Sequence, residues 1–196
     1  MARCYSGQVT IRQPPRHRQL PSIWLISDAR NDDVLESVLR RLPRGSGLVF
    51  RHYHLDPAKR RARWDRIVRR ARARGHVIAL SGSVRQARAW GADAVYGPPA
   101  RIAHGHGLWR LATAHSLAEI AAAARAGADA LFLSPVFPTR SHPGGSTLGR
   151  VRALLLAQRS GRQTILLGGM NRRNARSLAR APQIGGWAAI DGLSTI

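Results

Sequence analysis

The chain has 196 residues, an apolar fraction of 44% and a single cysteine, Cys4. That length suits one domain with a full core, the lone cysteine excludes an intrachain disulfide and a cysteine-based metal site, and no run approaches the roughly 18 apolar residues of a membrane span. The net charge of +22 comes from 32 basic and 10 acidic residues, and every basic residue except Lys59 is an arginine, a uniform bias that reads as coding preference rather than as a specific nucleic-acid patch.

Residues 1–22 read as a basic arm: Arg3, Arg12, Arg16 and Arg18 occur there without an acidic residue. The arm lacks an apolar h-region, so no secretory signal is expected and the cytoplasm is the expected compartment. From residue 23 to 196 short apolar runs alternate with amphipathic segments. Residues 23–28 form a first strand, and 31–42 a helix with Leu35, Val38, Leu39 and Leu42 at helical spacing, stopped by Pro43. Residues 47–50 form a second strand. Asp56 caps the next helix, Pro57 takes its first position and Gly75 ends it. Within that helix Trp64, Ile67, Val68 and Ala71 make one face, while Arg60, Arg61, Arg63, Arg66, Arg69 and Arg70 read as the solvated remainder.

Strands follow at 76–80, 94–96, 108–113, 130–136, 164–167 and 186–190. A short helix is expected over 84–90. Ser116 and Glu119 have capping-box spacing, and a helix starting at Ser146 or Thr147 carries Val151, Leu154 and Leu155 on one face. The tetrapeptide Gly91-Ala-Asp-Ala94 recurs as Gly127-Ala-Asp-Ala130, 36 residues later, each time between a helix and a strand. Eight strands in such repeating units predict a parallel (β/α)8 barrel whose last helix is shortened or missing, with a doubly wound open sheet as the competitor.

In a barrel the ligand meets the C-terminal ends of the strands. That rule selects Asp28, residues 51–54, Ser81 to Ser83, residues 96–99, residues 113–116, Ser134 to Thr139, Gly168 to Asn171, and Asp191 to Gly192. This set suits a small phosphorylated ligand. Gly168-Gly169 leading into a helix fits a backbone phosphate site. His115 has the chemistry of a general acid or base. The His104-x-His106 pair lacks carboxylate or cysteine partners, and no protein-ligated metal site is expected.

Leu131-Phe-Leu-Ser-Pro-Val-Phe-Pro-Thr139 and Leu167-Gly-Gly-Met-Asn171 closely resemble the G-P-V-F-x-T and I-G-G-[IM] loops of the thiamine phosphate synthase and thiazole tautomerase family. The resemblance covers residues 23–193. It implies a TIM barrel, and a transferase that joins a pyrimidine methyl diphosphate to a thiazole phosphate in thiamine biosynthesis. Thiazole tautomerase-like isomerisation and non-catalytic binding of a phosphate ligand remain as alternatives. It further implies catalytic roles for Arg51 and His115. Substrate or phosphate contacts fall to Thr113, Pro135, Thr139, His142, Gly168, Gly169 and, from the substituted loop, Arg101. Mg²⁺ serves the family, yet its two aligned aspartate ligands are absent here: Ser81-Gly82 stands for Asn-Asp, and the loop 96–101 lacks its aspartate. The family's two phosphate-facing lysines align with Tyr53 and His142, and its serine after the eighth strand aligns with Asp191.

Overall fold

The computed structural model describes residues 19–141, 143–178 and 180–193. Eight strands form a closed parallel barrel: β1 Ile23–Ile26, β2 Gly47–Phe50, β3 Val77–Ser81, β4 Ala94–Gly97, β5 Trp109–Ala114, β6 Ala130–Leu133, β7 Gln163–Leu166 and β8 Ile184–Ala189. Each pairs with the next, and β8 closes onto β1 through Trp24 opposite Ala188. The helices are α1 Leu35–Arg41, α2 Pro57–Ala73, α3 Val84–Ala89, α4 Pro99–Ile102, α5 Leu117–Arg125, α6 Gly149–Ser160 and α7 Arg172–Leu178. The open sheet is therefore excluded. Among the described residues no helix follows β8, and none is long and apolar enough to cross a membrane. Residues 1–18, His142, Ala179 and residues 194–196 lie outside the described residues, so most of the expected basic arm does too.

The core has two layers. Trp24, Ile26, Val49, Ala79, Tyr96, Leu111, Phe132 and Ile165 fill the barrel interior. Leu25, Leu48, Phe50, Ile78 and Val95 face outward and pack with Leu35, Trp64, Ile67 and Ile120 of the helices. This two-residue alternation is what a parallel strand buried on both faces requires. The expected stripe of α2 is buried as a unit: Trp64, Ile67, Val68 and Ala71. Residues such as Ile67 and Val68 contribute about 1.5–3 kcal/mol each through burial.

The repeated tetrapeptide has a structural explanation. Gly91 and Gly127 adopt φ of 68° and 67°, the left-handed stop that glycine allows. The aspartates then clip neighbouring strands together. Asp93 Oδ2 accepts the Ile78 amide at 2.9 Å, and Asp129 Oδ2 accepts the Arg110 amide at 2.7 Å.

Three local expectations are corrected. The helix expected over 31–42 divides into a 3₁₀ turn, Ala29–Asn31, and α1. Asp28 and Asn31 cap each other's turn, with the Asp28 amide donating to Asn31 Oδ1 at 2.9 Å, which closes the first turn early. Helix α6 begins at Gly149 rather than at Ser146 or Thr147, and buries Ala153, Leu156, Ala157 and Ser160. Val151 and Leu155 are 73% and 57% exposed. The stripe of smaller residues, also at helical spacing, faces the barrel and leaves the larger pair outside. Helix α4, four residues long, was not expected at all.

Leu20, Pro21 and Ser22, read from sequence as the end of the arm, lie against the barrel floor. Leu20 is buried, the Trp187 amide donates to Ser22 O at 2.8 Å, and Trp24 Nε1 donates to Pro21 O at 2.7 Å. Trp24 is thereby tied to the floor, and a Cβ on Gly47 would overlap its ring. Gly47→Ala should cost about 1–3 kcal/mol of stability, the usual penalty for overpacking. A thermal or urea unfolding midpoint equal to that of the unsubstituted protein would show that the floor can rearrange.

An apolar groove of about 290 Å³ opens between α1 and α7, lined by Ile23, Leu42, Pro43, Ala175, Trp187 and Leu193 with Arg172 and Arg176. It lies on the outer wall beside β8 and β1. None of the strand-end groups at the barrel mouth lines it.

Candidate active site

The inward parity of each strand, carried two residues past its last interior position, brings Asp28, Arg51, Ser81, Thr113 and Ser134 to the mouth. The β1–β4 side is a cluster around Arg51. Its guanidinium lies 3.9 Å from Asp28 Oδ2 and its Cζ 5.3 Å from the centre of the Tyr53 ring. The Tyr53 hydroxyl is hydrogen-bonded to Ser81 Oγ. Tyr96 is buried beneath them, and burial pushes its phenol pKa well up, with the Arg51 charge opposing. Tyr96 is therefore a neutral donor at any ordinary pH.

Arg101 sits at the next strand end, on α4. Its Cδ would lie 3.0 Å, and its Nη1 3.5 Å, from a Cβ on Gly97. The side chain thus folds back over the end of β4. The absence of a side chain at Gly97 makes room for it.

Arg51 is fixed from behind. Its amide donates to Ser27 Oγ at 2.8 Å, and its carbonyl accepts from Arg60 Nε at 2.8 Å. Arg60 Nη2 also donates to Ser81 O at 2.7 Å. The guanidinium of Arg60 lies over the rings of Phe50, Tyr53 and Trp90 at 5.4–5.7 Å. Arg60 is thus not part of a solvated face, as its position on α2 suggests, but a clamp across the ends of β2 and β3. Its long stem lets it reach around the helix.

His52 is the second unexpected element. It is fully buried, stacks on Phe50 at 4.4 Å, and has φ of 42°. A non-glycine residue in that region costs about 1–2 kcal/mol. Two short hydrogen bonds offset the cost: Nδ1 to Ser27 Oγ and Nε2 to Asp32 Oδ1, both 2.7 Å. Burial lowers the His52 pKa more than Asp32 raises it, so the ring is neutral at pH 7. Nε2–H donates to the carboxylate, and Nδ1 accepts from the Ser27 hydroxyl.

On the β5–β6 side, His115 is exposed. Its Nδ1 donates to Ser134 O at 2.5 Å, which leaves Nε2 free to accept a proton. The amide of His115 donates to Glu119 Oε2 at 2.5 Å, and Glu119 N donates to Ser116 Oγ at 3.3 Å. Glu119 therefore holds the residue before the cap rather than closing the expected capping box. Thr113 lies half-buried on the same strand end.

The β6–β8 side is built on backbone proximity. A Cβ on Gly168 would lie 2.7 Å from Pro135 Cα, and one on Gly169 would overlap Pro138 O. The Phe137 amide donates to Gly168 O at 3.1 Å. These contacts bring Pro135 and the Thr139 loop against the Gly-Gly turn. Gly169→Val would displace the loop that carries Thr139. Asn171 caps α7, as expected, in reciprocal bonds with Asn174 of 2.9 and 3.0 Å. Of the remaining expected groups, the carbonyls of His104 and His106 accept from Arg88, and His142 lies outside the described residues.

Asp191 does not stand alone at the end of β8. Arg30 places Nη1 3.4 Å from Asp191 Oδ2, Nε 3.1 Å from Asp28 Oδ1 and Nη2 2.8 Å from Ser141 Oγ. Burial raises the Asp28 pKa, but hydrogen bonds from Arg30 and the charges of Arg30 and Arg51 outweigh it and hold the carboxylate below its ordinary range. The two mouth carboxylates are thus engaged with guanidinium groups. At the ends of β3 and β4 the oxygen donors are the hydroxyls of Ser81 and Tyr96. Mg²⁺ favours carboxylates in octahedral geometry, and this donor set does not fit it. Among the described residues no three His, Cys, Asp or Glu side chains converge as a metal site.

The sequence model of thiamine monophosphate synthase matches residues 23–193. The chain belongs to the thiamine monophosphate synthase family. No curated protein sequence matches it. Among solved structures, a thiamine phosphate pyrophosphorylase from Pyrococcus furiosus is similar at 21% identity, covering 90% of this chain and 88% of its own, with a TM-score of 0.75. FabK from Thermotoga maritima is similar at 15% identity, covering 89% and 59%, with a TM-score of 0.70. A structure titled native KDPGal is similar at 15% identity, covering 87% and 83%, with a TM-score of 0.60. At these identities the likeness is one of fold.

Proposed function

We propose that this member of the family is a thiamine phosphate synthase-like transferase, joining a pyrimidine methyl diphosphate to a thiazole phosphate, with a diphosphate site built on guanidinium groups. The observation that carries the reading is Arg51. By the sequence resemblance it aligns with the family's arginine; it faces the mouth and is held by Ser27 and Arg60 through its own backbone. In the reaction the bond between the pyrimidine methylene and the diphosphate oxygen breaks, and the diphosphate leaves with the electron pair. The lone pair of the thiazole nitrogen forms the new C–N bond, and no proton moves in that step. What the protein supplies is charge where the leaving group develops it. Arg51 and Arg101 are suited to that, since a guanidinium can donate two parallel hydrogen bonds to one phosphate. Thr139 and the Gly168-Gly169 turn are suited to the thiazole phosphate.

The test is formation of thiamine phosphate from the two substrates, followed by chromatography. Arg51→Ala should lower kcat/KM by roughly 10- to 150-fold, the worth of a charged hydrogen bond of about 1.5–3 kcal/mol. Binding of the thiazole phosphate without product under any condition would replace this reading with that of a non-catalytic phosphate-binding relative. One observation favours a second reading. His115 exposes Nε2 while Nδ1 is tied to Ser134 O, an arrangement suited to metal-free proton transfer in a thiazole tautomerase. Deuterium exchange into a thiazole carboxylate phosphate, abolished in His115→Ala, would favour it.

A further inference from the structure

Resting on the reading of Arg51 as an anion-binding group, we propose that His52 is a positioning residue that aims the Arg51 guanidinium across the barrel mouth. The argument is geometric. Residue 52 is the non-glycine position with left-handed φ among the described residues, directly after Arg51 and directly before Tyr53, whose ring faces Arg51. The direction in which Arg51 leaves β2 depends on that turn. The turn is held by one side chain bonded at both ring nitrogens. Ser27 Oγ is shared: it accepts the Arg51 amide and hydrogen-bonds the imidazole. A continuous chain results, from the Arg51 amide through Ser27 and His52 to Asp32, where Arg63 Nε donates at 2.7 Å.

The same atoms could suggest a Ser-His-Asp nucleophile. Ser27 is fully buried and its hydroxyl already engaged, and the order of contacts leads away from the mouth toward α1 and α2. The chain is therefore a brace and not a reacting group. Each member has a specific task. Arg63 and His52 hold Asp32, Asp32 sets the imidazole tautomer, and the imidazole presents Nδ1 to the Ser27 hydroxyl. Ser27 is left with a lone pair for the Arg51 amide. Removing any link frees the next one toward the site.

The experiment is a double-mutant cycle read by calorimetric titration with inorganic diphosphate at pH 7.5, on the full chain. The variants are Arg51→Ala, His52→Asn, Ser27→Ala and the two doubles with Arg51→Ala. Asparagine tolerates left-handed φ, so His52→Asn removes the bond to Asp32 while retaining the turn. Ser27→Ala removes the shared hydroxyl from a site where a methyl group fits, and serves where His52→Asn does not fold. The expected result is a roughly tenfold loss of affinity in His52→Asn and in Ser27→Ala, with no further loss when either is combined with Arg51→Ala. Losses that multiply in the doubles would overturn the proposal, because a merely structural role acts independently of Arg51. Affinity weakened by Arg51→Ala but unchanged in His52→Asn and Ser27→Ala would also overturn it. No diphosphate binding by the unsubstituted protein, or equal binding by Arg51→Ala, would instead overturn the reading of Arg51 itself.

Discussion

On the proposed transferase reading, chelation with EDTA should leave most of the turnover intact, and a Mg²⁺ titration should raise it only weakly. The physical reason is the donor set. By the sequence resemblance, Ser81-Gly82 aligns with the family's Asn-Asp, and the loop 96–101, with Arg101, aligns with its aspartate-bearing loop. Asp28 and Asp191 are engaged with Arg30 and Arg51. A departing diphosphate still needs positive charge. In the proposed site that charge falls to Arg51 on β2 and to Arg101 on α4, whose exposed side chain lies beside Gly97. Two guanidiniums carry charge comparable to one Mg²⁺, but they do not impose its octahedral template. The turnover should therefore be slow as well as metal-tolerant. Arg101→Ala should lower kcat/KM by roughly 10- to 150-fold, about 1.5–3 kcal/mol, and should increase the response to Mg²⁺. Strong Mg²⁺ dependence in the unsubstituted protein, together with an unaffected Arg101→Ala variant, would refute the replacement of metal by arginine.

The parts of the molecule that were legible in the sequence are those governed by local rules. Asp56 with Pro57 fixes the start of α2, and the Asp56 side chain does accept the Lys59 amide at 2.9 Å. Gly91 and Gly127 announce two helix stops. Apolar runs ending in Ser81, Ser134 or Gly168 announce strands that open at a mouth. What was not legible depends on residues far apart in the chain. Arg60 and Arg63 occupy polar positions of α2 by periodicity. Periodicity does not say that a long arginine side chain can turn back to a strand end or to α1. His52 reads as a loop histidine because its partners, Ser27 and Asp32, lie 25 and 20 residues away. Arg30 pairs with Asp191 from the far end of the chain, so sequence alone leaves Asp191 as a bare carboxylate facing a phosphate. For α6, Val151 and Leu155 outrank Ala153 and Ala157 in hydropathy but lose to them in fit. Barrel packing favoured the smaller face.

Arg63→Met should be the most destabilising of the surface-helix arginine substitutions. Arg63 Nε donates to Asp32 Oδ1 at 2.7 Å, Nη1 to Glu36 Oε1 at 2.5 Å, and Nη2 to Glu36 Oε2 at 3.0 Å and to Asp32 O at 2.8 Å. Its side chain is 12% exposed, against 26% for Asp32 and 19% for Glu36. Methionine preserves the stem and its packing but leaves two carboxylates without their cation. Removing one partner of a largely buried pair costs about 3–5 kcal/mol, and partial hydration of Asp32 reduces that to about 2–4 kcal/mol here. The pH dependence gives an independent check. Burial raises the pKa of Asp32, while hydrogen bonds from His52 and Arg63 outweigh it and lower the value from 3.8. For Glu36 the Arg63 hydrogen bond comes first, and burial opposes it, with a net lowering from 4.5. A carboxylate whose folded pKa is depressed stabilises the fold above its unfolded pKa, and that contribution is lost as pH falls through the folded value. The gap between the two proteins should therefore be full at pH 7, begin to narrow as pH falls toward 4.5, and shrink further below 3.8. Urea unfolding across that range measures it. A gap that stays constant with pH would mean that Arg63 acts through the packing of its stem rather than through Asp32 and Glu36.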